Sequence, residues 1–279
     1  MQLNSKNTNR VYETSYRLFI QNTNLSEIEI QSMDILDLAK QIESVFTSSS
    51  YSVNSKLTRI SACKNFISEK YNKDFPKSRK LKHLSKQKNR RSNKIDLSTS
   101  NVKKLIKLFE TEYKSCQTGY KPIKLRNLIL IKLLTFTGQR IGDLLSITVN
   151  KAKQTKLFFK QEKTGAEVTI DNPCLPEIMA YINIVGLTDE QPLFSTGLNK
   201  TLSYTYVNNL ISKVGLKIGI DKLTCHVFRK YAVTHLKEVG LSDRQVMSIT
   251  GHSDNRMIGY YTGDSKQVDN LQKLLLQEV

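Results

Sequence analysis

Residues Leu125 to Leu145 read LRNLILIKLLTFTGQRIGDLL. The first twelve are apolar nearly all round, the mark of a helix central to a core rather than one lying on a surface. Gly138 supplies the stop, and Arg140 follows where a second helix, Ile141–Ile147, begins. By default an arginine here pairs at the surface with Asp143, three residues on. The apolar segments on both sides imply burial instead, and a buried guanidinium needs anionic company. The stretch therefore predicts a mainly helical fold that holds a cation at a turn between two helices.

Further along the chain, Lys156–Lys160 and Glu167–Ile170 alternate as two short strands with Lys163-Thr164-Gly165 at their turn. A lysine at a hairpin tip is by default solvated, and Lys160 is as near as Lys163. Cys174–Ile184 and Leu202–Lys213 read as helices. In Thr224–Leu236 (TCHVFRKYAVTHL) Thr224 is placed to cap a helix whose first turn carries His226 and Arg229 on one face. Free N–H groups and the helix dipole there suit an incoming phosphate. Gly240 closes that helix, Ser242-x-x-Gln245 forms a capping box for the next, and Gly251 ends it. His252 then sits on a turn, and Thr250–Asp264 reads TGHSDNRMIGYYTGD. Tyr260 and Tyr261 point about 100° apart on one short helix. A tyrosine, with an ordinary pKa near ~10, becomes a nucleophile only beside cations that ease its deprotonation.

An Arg, a Lys, a His-x-x-Arg pair, a His and a terminal Tyr in this order resemble the tyrosine recombinase (phage integrase) family. The resemblance covers about two thirds of the chain, from Leu97 to the C-terminus. It implies a mainly α fold with a small β-hairpin: an N-terminal helical DNA-binding domain followed by a tyrosine-recombinase catalytic domain. It implies that Tyr261, nine residues after His252, is the nucleophile and Tyr260 a packing residue. Arg140, Arg229 and His252 would stabilise the charged oxygens of a scissile phosphate, and Asp143 would support them. His226 would assist removal of the tyrosine proton, and Lys163 would protonate the leaving 5′ oxygen. Neither metal nor other cofactor nor ATP is implied.

Composition agrees with a polyanionic partner. Lys and Arg number 43 against 25 Asp and Glu, a net charge of +18, and double-stranded DNA rewards such an excess by counterion release. Neither a basic amphipathic anchor nor a lipidation motif points to a membrane. Cys63, Cys116, Cys174 and Cys225 are scattered, which argues against zinc or a disulfide framework and fits a reducing compartment. The N-terminus lacks the apolar core of a secretion signal, so the expected location is intracellular, on DNA, with nucleoid and host nucleus both open.

Residues 1–75 read as several helices: Val11–Ile20, Ile35–Phe46 and, most clearly, Leu57–Tyr71 with Leu57, Ile60, Ala62, Phe66 and Ile67 on its apolar side. By resemblance they form a clamp on one face of the duplex, although helical periodicity alone equally allows a bundle that binds nothing. Residues 76–96 read as a linker carrying Lys77, Arg79, Lys80, Lys82, Lys86, Lys88, Arg90, Arg91 and Lys94. Such a run can contact phosphates without reading sequence, or serve as a nuclear localisation signal. By the same resemblance residues 97–279 would form the catalytic domain, which opens with a helix over Val102–Lys114 that Ser98, Thr99 or Ser100 can cap. Its tail, VDNLQKLLLQEV over Val268–Val279, is amphipathic. The family resemblance implies a homo-tetramer on paired DNA sites, assembled through this tail, which otherwise packs in cis.

Three other activities compete on sequence grounds. A type IB topoisomerase shares the cleavage chemistry but carries a lysine in place of His226. A non-catalytic DNA-binding regulator on the same fold would have no need of a nucleophilic tyrosine. A basic helical scaffold leaves the spacing of the six residues unexplained.

Overall fold

In the computed structural model the described residues are 6–76, 97–162, 165–196 and 200–252. The chain divides into two compact units, Met1–Asn93 and Lys94–Val279.

The first unit is built from α1 (Lys6–Thr23), α2 (Glu27–Ser32), α3 (Ile35–Ser48) and α4 (Val53–Tyr71). Each boundary after the first has a local chemical cause. Ser26 and Glu29 close a capping box on α2, Asp34 accepts the N–H groups of Leu36 and Asp37 at the start of α3, and Ser52 caps α4. Phe19, Ile30, Leu38, Ile42, Phe46, Ile60, Cys63 and Ile67 form the core. The apolar side expected of α4 is partly corrected. Ile60, Ala62 and Ile67 are buried, whereas Leu57 and Phe66 are only half-buried, Phe66 being stacked on Tyr16 at 4.6 Å. Lys64 joins the buried set because its Nζ lies 2.7 Å from Glu43 Oε1. The short α2 has too few residues for a periodicity to show, and only its capping box announces it.

In the second unit α5 (Thr99–Ser115) starts at Ser98, whose hydroxyl accepts the Asn101 N–H. A 3₁₀ turn (Thr118–Tyr120) leads into α6 (Lys121–Thr137), with Pro122 in its first turn, where a missing N–H costs nothing. Leu128, Ile129, Leu130, Ile131, Leu133 and Leu134 are all buried, so α6 is covered on every side, by α5, α9 (Leu175–Val185) and α11 (Cys225–Glu238). Lys132 reaches Glu110 of α5 at 3.1 Å and Glu177 of α9 at 3.0 Å, fastening the three together.

After α6 come α7 (Ile141–Leu145) and α8 (Val149–Ala152). The helix expected over Ile141–Ile147 stops two residues early, because Ile147 and Val149 exchange main-chain bonds with Leu193 and Gln191 instead. Strands β1 (Lys156–Lys160) and β2 (Glu167–Asp171) pair antiparallel with Lys156 opposite Asp171 and Lys160 opposite Glu167. Leu157, Phe159 and Val168 face the core. The turn is closed by Gln161 N–H to Ala166 O at 2.9 Å and Gly165 N–H to Gln161 O at 2.8 Å. Helices α10 (Tyr204–Lys217), α11 and α12 (Asp243–Thr250) complete the described part. Among these residues no helix is long and apolar enough to cross a membrane.

Candidate active site

Three chain segments that are distant in sequence meet at the C-terminal end of α6. Gly138 ends that helix with φ +60°, and a Cβ there would lie 2.9 Å from Ala232 Cβ of α11 and 3.2 Å from Thr250 Cγ2 of α12. Only glycine allows both the left-handed turn and this approach. Gly251 repeats the device with φ +67°, where a Cβ would overlap the Gln161 amide. The backbone thus brings the α6–α7 turn, the hairpin, α11 and the end of α12 to one point.

Arg140 occupies the N-cap position of α7 and its Nη1 donates to Gln161 Oε1. Asp143 is buried and near enough for its charge to interact with Arg140, but the hydrogen bond of the guanidinium goes to Gln161, so the pairing is not the surface one the sequence allows. Gln161 is fully buried and its Nε2 donates to Gln139 Oε1 at 2.7 Å and to the Thr250 carbonyl at 2.8 Å. Gln139 in turn donates to the Ile249 carbonyl at 2.6 Å.

Arg229 is 4% exposed, and its Nη1 donates to the carbonyls of Gly138 at 2.8 Å and Thr250 at 2.7 Å. Bonds from an ionised donor are each worth roughly 1.5–3 kcal/mol, enough to hold the guanidinium in one place. These carbonyls fix its geometry while leaving its formal charge intact. His226, one turn earlier on α11, is exposed. Thr224 takes the N-cap position of α11, but its side chain makes no capping bond. The Cys225 N–H is met by Asn208 Oδ1 of α10 at 3.3 Å instead.

His252 follows the Gly251 turn, half-buried, with Nδ1 2.7 Å from Thr250 Oγ1. Burial, followed by the positive charges of Arg229, Arg140 and His226, pushes its pKa down to about 4. Asp143 is buried. Its Oδ1 accepts the Glu162 N–H at 3.4 Å, and its Oδ2 has no hydrogen-bond partner among the described residues. Burial raises its carboxyl pKa, opposed by that N–H and by the charges of Arg140 and Arg229.

Residues 96–267 match the phage integrase family. The chain belongs to that family. Among curated relatives, tyrosine recombinase XerD of Staphylococcus epidermidis is 29% identical over 174 residues, which are 59% of this chain and 57% of that protein. Virulence plasmid integrase pGP8-D of Chlamydia trachomatis is 27% identical over 162 residues, 56% of this chain and 48% of that one. The chain therefore spans about half the length of the curated relatives it matches. Among solved structures, XerH site-specific recombinase bound to palindromic difH substrate superposes with a TM-score of 0.68 at 18% identity, covering 90% of this chain and 75% of that one. A lambda integrase tetramer bound to a Holliday junction gives 0.62 at 15% identity, covering 96% and 75%. At such identities the likeness is one of fold: a mainly helical integrase fold with a two-stranded sheet.

Of the family residues expected from sequence, Arg140, Arg229 and His252 are brought together around Thr250, with Asp143 beside the two arginines and His226 close enough to affect His252. Lys163, Tyr261 and the nine linker cations Lys77 to Lys94 lie outside the described residues, as does the C-terminal tail. The candidate site also rests on residues that the sequence does not single out: Gln139, Gln161 and Thr250. The signal available for Gln161 was polarity at a strand end that the alternation makes inward-facing.

Proposed function

We propose that this integrase is a site-specific DNA recombinase that cleaves and rejoins strands through a 3′-phosphotyrosyl intermediate, without metal or ATP. The observation that carries the reading is the convergence of Arg140, Arg229 and His252 from three segments. Two fixed guanidinium groups and an imidazole in a partly water-excluded site are suited to a phosphate whose charge is redistributed in an in-line displacement. The Tyr261 phenol oxygen attacks the scissile phosphorus, its proton passing toward His226. The bond from phosphorus to the 5′ oxygen breaks, and that oxygen takes a proton from Lys163 and leaves as a 5′-hydroxyl. Attack by a 5′-hydroxyl from a second duplex reverses the step and completes the exchange. Asp143 supports Arg140 and Arg229 electrostatically. Residues 1–75 hold the duplex as a helical clamp, the basic stretch 76–96 meets its backbone, and residues 97–279 carry the chemistry. Assembly is a homo-tetramer on paired sites through the tail over 268–279, inside the cell and on DNA.

The reading is tested with a nicked DNA substrate from which the cleaved fragment diffuses away, trapping the covalent complex. Tyr261→Phe should bind DNA with unchanged affinity and give no denaturation-resistant adduct, while Tyr260→Phe should still give one. An adduct from Tyr261→Phe, or none from the unaltered protein on DNA of its own replicon, would overturn the proposal.

A further inference from the structure

Thr250, the last residue of α12, is fully buried. Its carbonyl accepts Arg229 Nη1 at 2.7 Å and Gln161 Nε2 at 2.8 Å, so three elements are tied to one peptide group. Its hydroxyl has two neighbours: the Val246 carbonyl at 2.6 Å and His252 Nδ1 at 2.7 Å. A carbonyl oxygen can only accept, so the single hydroxyl hydrogen goes to Val246. Towards His252 the threonine oxygen then offers only lone pairs, and the hydrogen in that contact must belong to Nδ1.

We propose that Thr250 is a positioning residue which holds His252 in the Nδ1–H tautomer while its carbonyl gathers Arg229 and Gln161 to the same point. A neutral imidazole with its hydrogen on Nδ1 carries a lone pair on Nε2. That nitrogen cannot donate to a phosphate oxygen until the ring gains a proton. In the free protein the surroundings oppose this gain: Arg229 and His226 from α11 and Arg140 from the α6–α7 turn all disfavour a further positive charge. Asp143 of α7 lies beside the arginines, and Gln139 and Gln161 are neutral. A phosphate arriving among these groups reverses the balance, so its binding and proton uptake by His252 are linked. This consequence rests on the cleavage chemistry proposed above; the tautomer does not.

The two are separated by two measurements. The chain holds four histidines, so ring ¹⁵N signals of the ¹⁵N-histidine-labelled protein can be assigned with a His252→Asn control. At pH 7 the His252 ring should show a protonated-type Nδ1 and a bare Nε2. Thr250→Ser should keep that pattern, and Thr250→Val, which has no oxygen to accept from Nδ1, should move the hydrogen to Nε2. An Nε2–H ring in the unaltered protein, or an unchanged ring in Thr250→Val, would overturn the proposal. If Thr250→Val fails to fold, the unaltered and Thr250→Ser spectra still decide it. In the second measurement, adduct formation by the unaltered protein should decline as pH rises through the DNA-bound His252 pKa, whereas Thr250→Val should lack that decline. Parallel profiles would overturn the proton-uptake consequence. Absence of adduct from either protein on any DNA would overturn the cleavage reading, with the ring spectrum unaffected.

Discussion

In the first unit Lys64 sits inside the bundle with its ammonium 2.7 Å from the Glu43 carboxylate, both side chains about nine-tenths buried. In the second unit Arg229 is buried as deeply, yet its Nη1 bonds go to the carbonyls of Gly138 and Thr250. The first arrangement neutralises a buried charge with another of opposite sign and serves folding alone. The second orients a cation by two carbonyl dipoles, with the Asp143 carboxyl group near enough to interact with it. Net charge follows the same division. Residues 1–76 carry nine Lys and Arg against eight Asp and Glu, residues 77–96 nine against one, and residues 97–279 twenty-five against sixteen. The helical bundle is nearly neutral overall, and the excess of basic charge lies in residues 77–279.

The largest expected effect tests that division on DNA. Replacing the nine cations from Lys77 to Lys94 with glutamine should weaken binding by about 10³-fold or more at moderate salt if most of them meet phosphates. The slope of log K against log salt should become shallower by about 0.9 per lost contact. Removing residues 1–96 should flatten the slope further, by about 0.9 for each phosphate met by the nine Lys and Arg of residues 1–76. A truncated protein with the same affinity and slope as the nine-fold glutamine variant would show that residues 1–76 do not clamp the duplex.

Next in size are matched substitutions of the two buried cations. Lys64→Met leaves the Glu43 carboxylate buried without its partner and should cost about 3–5 kcal/mol of stability in denaturant titration. Adding Glu43→Leu should recover most of it. Arg229→Met should retain a folded protein that binds DNA, while covalent adduct formation falls by about 10²–10³-fold. Recovery of activity by any second-site apolar substitution would show that Arg229, like Lys64, is only a packing partner.

The smallest effect is a pH dependence of stability. The His252 pKa lies at about 4 in the folded protein, below its ordinary value near 6.5. Between these values the unfolded chain binds more protons than the folded one, so stability is fully present above about pH 6.5 and declines as pH falls toward 4. The Asp143 shift runs the other way, since a raised carboxyl pKa favours the folded state at the acid end. His252→Asn should flatten the thermal midpoint between pH 6.5 and 4 relative to the unaltered protein. An equally steep decline in the variant would place the titrating group elsewhere.

Much of the molecule was legible from residue order because the determinants are local. Apolar periodicity marks α3, a run apolar nearly all round marks α6, alternation marks β1 and β2, and the Ser242–Gln245 box and Gly251 bound α12. Arg140, Arg229 and His252 stand out through their turns and spacings, each set within a few residues of a helix end. The glutamines and Thr250 carry no such mark. Gln161 reads as an ordinary polar residue at the end of a strand, and Thr250 as an ordinary helix terminus. Their partners lie 22 and 89 residues away for Gln161 and 110 residues away for Gln139. A buried amide is stable only where donors and acceptors from other segments happen to meet it, and no local pattern encodes that meeting. Residue order alone thus marks most of the helices, the hairpin, the family, and the three basic side chains that meet around Thr250. The tertiary structure decided what holds those cations in place, because satisfying a buried polar group is a property of the assembled interior rather than of any one stretch of chain.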